Sequence, residues 1–256
     1  MKIALIVPRL YEDINTNTTK INELISDACM GGAKLILLPE ATLTGLINND
    51  VYEHDISIAI SISDKVITNF CDKAKEYGIW LCFGFLEKEN DCIYDSAILI
   101  NPVGEISIHY RRINPQWRAK SLPSNQYSEG FEMESAMTPL GKTAVLICGD
   151  LFDDNVLSLL DPIRPEFVLF PFTRCFPSGV KDIQKQWDDV EVHEYVKQAQ
   201  RTGAIVAMTN YIGTADINDT SFGGAFIIDK DGDLHASLPL LQEGILYYDV
   251  KGCGDK

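Results

Sequence analysis

Leu35-Ile36-Leu37-Leu38-Pro39-Glu40 reads as a buried strand that runs straight into a carboxylate. Four consecutive apolar residues without alternation need apolar neighbours on both faces, as in a sheet covered on two sides. Pro39 stops the run, because proline has no backbone N–H to give to a ladder. Just upstream, Ile21, Leu24, Ile25, Ala28 and Cys29 recur at three- and four-residue steps and predict a helix. Thr18 or Thr19 would cap its start and Gly31-Gly32 its end. Before it, Lys2 to Val7 is another short apolar run. Strand, helix and strand thus follow one another from the first residues.

The alternation continues downstream. Val66, Ile67, Phe70, Cys71 and Ala74 predict a helix ending at Gly78, and a strand follows over 79–85. Strands over 93–100 and 105–110 form a hairpin around Asn101-Pro102-Val103-Gly104, a good turn sequence. Residues 113–138 carry no period, and a loop that long in a compact domain is usually functional. Beyond it, strands are predicted over 143–147, 167–170, 204–208, 222–228 and 245–250, with helices over 153–160 and 187–200. The expectation is one α/β domain over 1–256, with mixed sheets.

Composition narrows the function. The chain has 256 residues and a net charge of −15, which leaves little to build the basic patch that nucleic acid or an anionic membrane surface needs. No apolar run approaches the roughly 20 residues of a membrane helix. The first apolar stretch ends at Pro8-Arg9, too short for a signal-peptide core. Seven cysteines, an odd number with several inside apolar runs and no CxxC pair, point to a reducing cytoplasm and against a disulfide framework or structural zinc. Gly141-Lys142-Thr143 lacks the first glycine of a phosphate loop, since position 136 is Ala136. His193-Glu194 opens like a zinc-protease helix, but Lys197 stands where the second histidine belongs.

Three strand ends carry reactive groups, where α/β folds tend to place them. Glu40 ends the first. A carboxylate set against a core can carry protons near neutral pH. Ala144-Val145-Leu146-Ile147-Cys148-Gly149-Asp150 ends the second in a thiol followed by glycine, with a helix start near Asp153. Amides of such a start favour thiolate and can hold an oxyanion. Ile106-Ser107-Ile108-His109-Tyr110-Arg111-Arg112 ends the third in two cations. Taken singly, each also fits a plainer role: a loop glutamate, a buried inert cysteine, a solvated basic pair.

As an ordered set, Glu40, the basic residue after Tyr110-Arg111, and Cys148 with Asp150 two residues on resemble the nitrilase, or carbon–nitrogen hydrolase, superfamily. The stretch from Trp187 through Asn210 to Gly223-Gly224 and its Asp-Gly turn agrees, so the resemblance spans nearly the whole chain. It implies a four-layer α-β-β-α sandwich, assembled as a homodimer or larger, with no metal or organic cofactor and a small-molecule substrate. It implies a catalytic triad of Glu40 as base, Cys148 as nucleophile and a cation. The Gly149 amide would serve the oxyanion hole. The family's lysine slot holds Arg112, which either serves with altered geometry, yields to Lys120, or impairs catalysis. The family's second glutamate has Pro123 at comparable spacing, with Glu129, Glu132 and Glu134 nearby, and Gly149 stands where the family often has an aromatic residue. Phe172 and Thr173, past a strand end, are expected to touch substrate. Trp117 and Tyr127 fit a lid or a dimer contact, and Arg111, Arg112 and Arg118 would suit a carboxylate-bearing substrate. Two other readings are a non-catalytic small-molecule binder on the same fold and a magnesium-dependent phosphoesterase using Glu40.

Overall fold

Residues 2–7, the first apolar run, form strand β1 (Lys2–Val7), and helix α1 (Ile14–Met30) and β2 (Leu35–Leu37) follow as the spacing predicts. The computed structural model describes residues 1–250 other than Ser178 and Asn218; Cys253 and the end of the expected 1–256 domain lie outside the described residues. Next come α2 (Tyr52–Ile58), α3 (Lys65–Tyr77), β3 (Trp80–Glu89), β4 (Cys92–Ile100) and β5 (Ile106–Arg111). The second half holds β6 (Ser135–Thr138), β7 (Gly141–Val145), α4 (Asp154–Ser158), β8 (Phe167–Pro171), α5 (Ile183–Gln186) and α6 (Val192–Arg201). It closes with β9 (Ile205–Thr209), β10 (Ala225–Ile228), β11 (Leu234–Leu238) and β12 (Gly244–Asp249).

Among the described residues these strands make two six-stranded mixed sheets, in the orders β12-β1-β2-β3-β4-β5 and β11-β10-β9-β8-β7-β6. Each has three parallel strands at its centre, β1-β2-β3 and β7-β8-β9, with antiparallel neighbours outside. Alternate residues of one strand enter different cores. Ile36 and Leu38 face helices α1 and α3, beside Ile25 and Phe70. Leu35 and Leu37 face the other sheet, beside Val145, Leu169 and Ala207. On the far side Leu146, Phe170 and Met208 meet Trp187, Tyr195 and Ala199. The layering is therefore helix, sheet, sheet, helix: a four-layer α/β sandwich, as the resemblance implied. It explains the unalternating apolar runs, since each central strand is covered on both faces. Each fully buried Leu or Ile stabilises by roughly 1.5–3 kcal/mol.

Several boundaries differ from expectation. The cap of α1 is Asp13, whose carboxylate accepts from the Asn15 and Thr16 amides. Thr18 and Thr19 lie inside the helix and donate back to Ile14 O and Asn15 O. A carboxylate caps well and also suits the positive end of the helix dipole. β6 occupies the last four residues of the expected 113–138 loop, and α2 and β11, which the expected elements did not include, are additional. Among the described residues no helix is long and apolar enough to cross a membrane.

Candidate active site

Strand direction gathers the three reactive ends at one rim. β2 and β3 run parallel, and β4 turns back and β5 turns again, so β5 ends on the same side as β2. In the other sheet β7 and β8 end together. Glu40, Arg112, Cys148 and Thr173 follow β2, β5, β7 and β8 respectively.

Glu40 is wholly buried. Its loop crosses β3 at Gly84, where a Cβ would stand 2.7 Å from the Glu40 Cα, so only glycine admits the approach. Gly84 N donates to Pro39 O at 2.9 Å and Thr42 N to Gly84 O at 2.9 Å, and the next residue, Ala41, is held at φ 45°. Cys148 is held at φ 43° at the start of a 3-10 turn over Cys148–Phe152. Left-handed backbone at two non-glycine residues, one next to Glu40 and the other Cys148 itself, is strain that the surrounding structure must hold in place.

Asp150 fixes the turn. Its buried carboxylate accepts from Ile147 N at 3.0 Å, Ile113 N at 3.1 Å, Asn114 N at 2.8 Å and the Tyr110 hydroxyl at 2.8 Å. The loop after β5 is thereby tied to the loop after β7, which sets Arg112 against Cys148. Burial pushes the Asp150 carboxyl up to about 6 despite the opposing pull of Arg112.

Arg112, 3% exposed, lies between the sheets. Its Nη1 donates to Glu40 Oε1 at 3.0 Å and to Asp95 Oδ2 at 3.1 Å. Its Nη2 lies over Gly149, where an added Cβ would stand 2.4 Å from Nη2 and 2.7 Å from Asn114 Oδ1. The two departures from the family pattern therefore belong together: glycine after the cysteine leaves the room that a guanidinium needs. Lys120 is exposed, so the cation at this rim is Arg112.

The Cys148 thiol is half-buried and donates to Thr173 O at 3.4 Å. Burial, then the Glu40 charge, pushes it up to about 12, with Arg112 pulling the other way. At neutral pH it rests as the neutral thiol and needs a base to become a nucleophile. Thr173 Oγ1 and Asn210 Oδ1 are buried without a partner, as are one oxygen of Glu40 and one of Asp95.

The remaining expected residues are distributed differently. Phe172 is fully buried, stacked on Phe170 and Trp187 with Tyr195 alongside, so its ring packs the core. Trp117 and Tyr127 are also core residues rather than a lid or dimer surface, and the Tyr127 hydroxyl donates to Asp55. Arg111 and Arg118 leave the proposed arginine patch: Arg111 pairs with Glu87 and Glu89, and Arg118 with Glu129. Glu134 accepts from His109 N, and Glu132 is exposed. A guanidinium 3.0 Å from Glu40 repels the divalent cation that the phosphoesterase reading needs. Sequence reasoning missed Asp95 and the anchoring part of Asp150. Asp95 carried a signal, a carboxylate inside the largely apolar β4, which is costly to bury without purpose.

The carbon-nitrogen hydrolase family profile matches residues 2–252. A nitrilase of Pyrococcus abyssi (strain GE5 / Orsay) is 33% identical over 148 residues, 57% of this chain and 53% of that protein, so the chain matches about half of its length. The deaminated glutathione amidase of Dictyostelium discoideum is 25% identical over 252 residues, covering 91% of this chain and 82% of that one. Among solved structures, a mutant of the amidase from Nesterenkonia sp. AN1, with acrylamide added at its active-site cysteine, superposes with a TM-score of 0.79 at 17% identity over 98% of this chain and 93% of that chain.

Proposed function

The chain belongs to the carbon–nitrogen hydrolase family, and on that premise we propose that it hydrolyses a non-peptide carbon–nitrogen bond of a small molecule, an amide, carbamoyl or nitrile group, through a cysteine acyl-enzyme. The observation that carries the reading is that Glu40 from one sheet and Cys148 from the other flank a single buried guanidinium.

For an amide, Glu40 takes the thiol proton as Sγ attacks the carbonyl carbon. The oxyanion that forms faces the Gly149 amide and the Arg112 cation. The C–N bond breaks as Glu40 returns the proton to the leaving amine. Water then attacks the thioester, Glu40 takes its proton, and the acid leaves as the thiol is restored. Thr173 O holds the thiol until substrate enters. These steps need no metal or organic cofactor. Assembly as a homodimer or larger is part of the same proposal, as is a reducing cytoplasm, which the free cysteines support.

The test is acylation. Incubation with a panel of amides, nitriles and carbamoyl compounds, read by intact mass, should give an adduct at Cys148, and iodoacetamide should alkylate it. Turnover that survives Cys148→Ala refutes the assigned nucleophile. One observation favours the second reading, a binding homologue without catalysis: Nη1 of Arg112 is already shared by two carboxylates. Substrate binding without any adduct would establish it.

A further inference from the structure

Glu40 and Asp95 are both fully buried and meet the same guanidinium nitrogen, at 3.0 and 3.1 Å. They are also within hydrogen-bonding reach of each other. One cation cannot neutralise two carboxylates, and an uncompensated buried charge is expensive. Arginine offers no proton to lose or gain. Each carboxylate has one oxygen without a donor, and two carboxyl groups can bond only when one of them carries a hydrogen. The other groups facing the pair do not supply it. Cys148 donates to Thr173 O, and Asp150 is filled by three amides and the Tyr110 hydroxyl. Tyr195 approaches from α6 as a neutral phenol.

We propose that Glu40 and Asp95 form one carboxyl pair sharing a single proton, carried by Asp95 and donated to Glu40. Asp95 is then a positioning residue: it holds Glu40 as an oriented anion aimed at the thiol, without touching substrate. Burial, then the Glu40 charge, drives the Asp95 carboxyl well above the usual carboxylate range, in the direction this arrangement needs. As pH rises and Asp95 ionises, two negative charges face one cation. The Glu40 geometry is then lost together with activity. The inference about Glu40 as base rests on the hydrolase reading, whereas the shared proton does not.

The experiment has two arms. Infrared spectroscopy of the full-length protein at pH 8, where Asp150 with its value of about 6 is ionised, should show the carbonyl stretch of a protonated buried carboxylic acid. That band should bleach as pH rises and be missing from Asp95→Asn. In the second arm, Asp95→Asn replaces the acid by a permanent N–H donor, so Cys148 acylation should stay within about 10-fold of wild type near neutral pH and lose its alkaline fall, whereas Asp95→Ala should drop about 100-fold or more. No band in wild type at pH 8 overturns the proposal, even if the variants fail to fold. An alkaline limb unchanged in Asp95→Asn overturns the positioning role. A band present in wild type and absent from Asp95→Asn, with no compound acylating Cys148, keeps the shared proton and removes the hydrolase reading instead.

Discussion

Arg111 and Arg112 are neighbours in the chain, each meets a fully buried glutamate, and the two sites differ in almost every other respect. Arg111 turns to the face of the sheet on which β3 carries Glu87. There the carboxylate accepts from Arg111 Nε at 3.0 Å, Arg111 Nη2 at 2.7 Å, His109 Nε2 at 2.9 Å and Ser96 Oγ at 2.5 Å. Its hydrogen bonds from His109 and Arg111 outweigh burial and hold Glu87 down at about 2. Arg112 turns the other way and serves two carboxylates from one nitrogen, leaving an oxygen on each, and its own Nε, without a partner. One site is saturated and the other is short of hydrogen bonds. Saturation fixes a charge and stabilises the fold, whereas shortage leaves groups whose protons can move, which is what acid–base chemistry requires.

The contrast can be broken at four points. Cys148→Ala should abolish acylation, a loss of at least about 1000-fold in turnover, with the thermal midpoint nearly unchanged. Arg112→Met should destabilise by about 3–5 kcal/mol, since it strands a buried carboxylate, whereas Arg111→Met, which leaves Glu87 its histidine and serine donors, should cost clearly less. Equal losses in chemical denaturation would erase the distinction between the two sites.

The third point is pH. Glu87 has a depressed value in the fold, so its stabilisation is present above the unfolded carboxylate range and is lost as pH falls toward about 2. Asp95 has a raised value, so its contribution has the opposite sign: present at low pH and lost as pH rises through its folded value. Glu87→Gln should therefore flatten the acid side of the stability profile, by an amount on the order of 2–3 kcal/mol, and Asp95→Asn the alkaline side. Profiles altered on the same side would contradict the pairing described here. The smallest effect is expected from Gly149→Ala, about 1–3 kcal/mol of crowding against Arg112 Nη2. Combining it with Arg112→Lys should relieve that cost, and strict additivity in the double mutant would show that the two positions are independent.

Much of this was legible in the chain. Unalternating apolar runs marked β1, β2, β7, β8 and β9, because a strand covered on both faces has no polar side to display. Three- and four-residue spacing marked α1 and α3, and a helix was expected over 187–200, where the segment ending at α6 lies. Glu40, Arg112 and Cys148 were visible as reactive types set directly after such runs. The polar end of β3, β11 and the short α2 were not: Leu234, Ala236 and Leu238 do alternate along β11, but over only five mostly exposed residues, and α2 is only seven residues long. Phe172 was placed beside substrate by its position after β8, but the alternation of that strand sends its ring into the aromatic layer.

The sequence by itself determined which strands are buried, which residues stand at their ends, and that the chain carries an acid, a cation and a thiol in family order, because these depend on local pattern alone. Only the tertiary structure decided that Asp95 joins Glu40, that Arg111 leaves the site while Arg112 stays, and that Gly149 makes room for the guanidinium. Those outcomes depend on the pairing of β4 with β5 and on the distance between two sheets, which are long-range properties that no window of sequence contains.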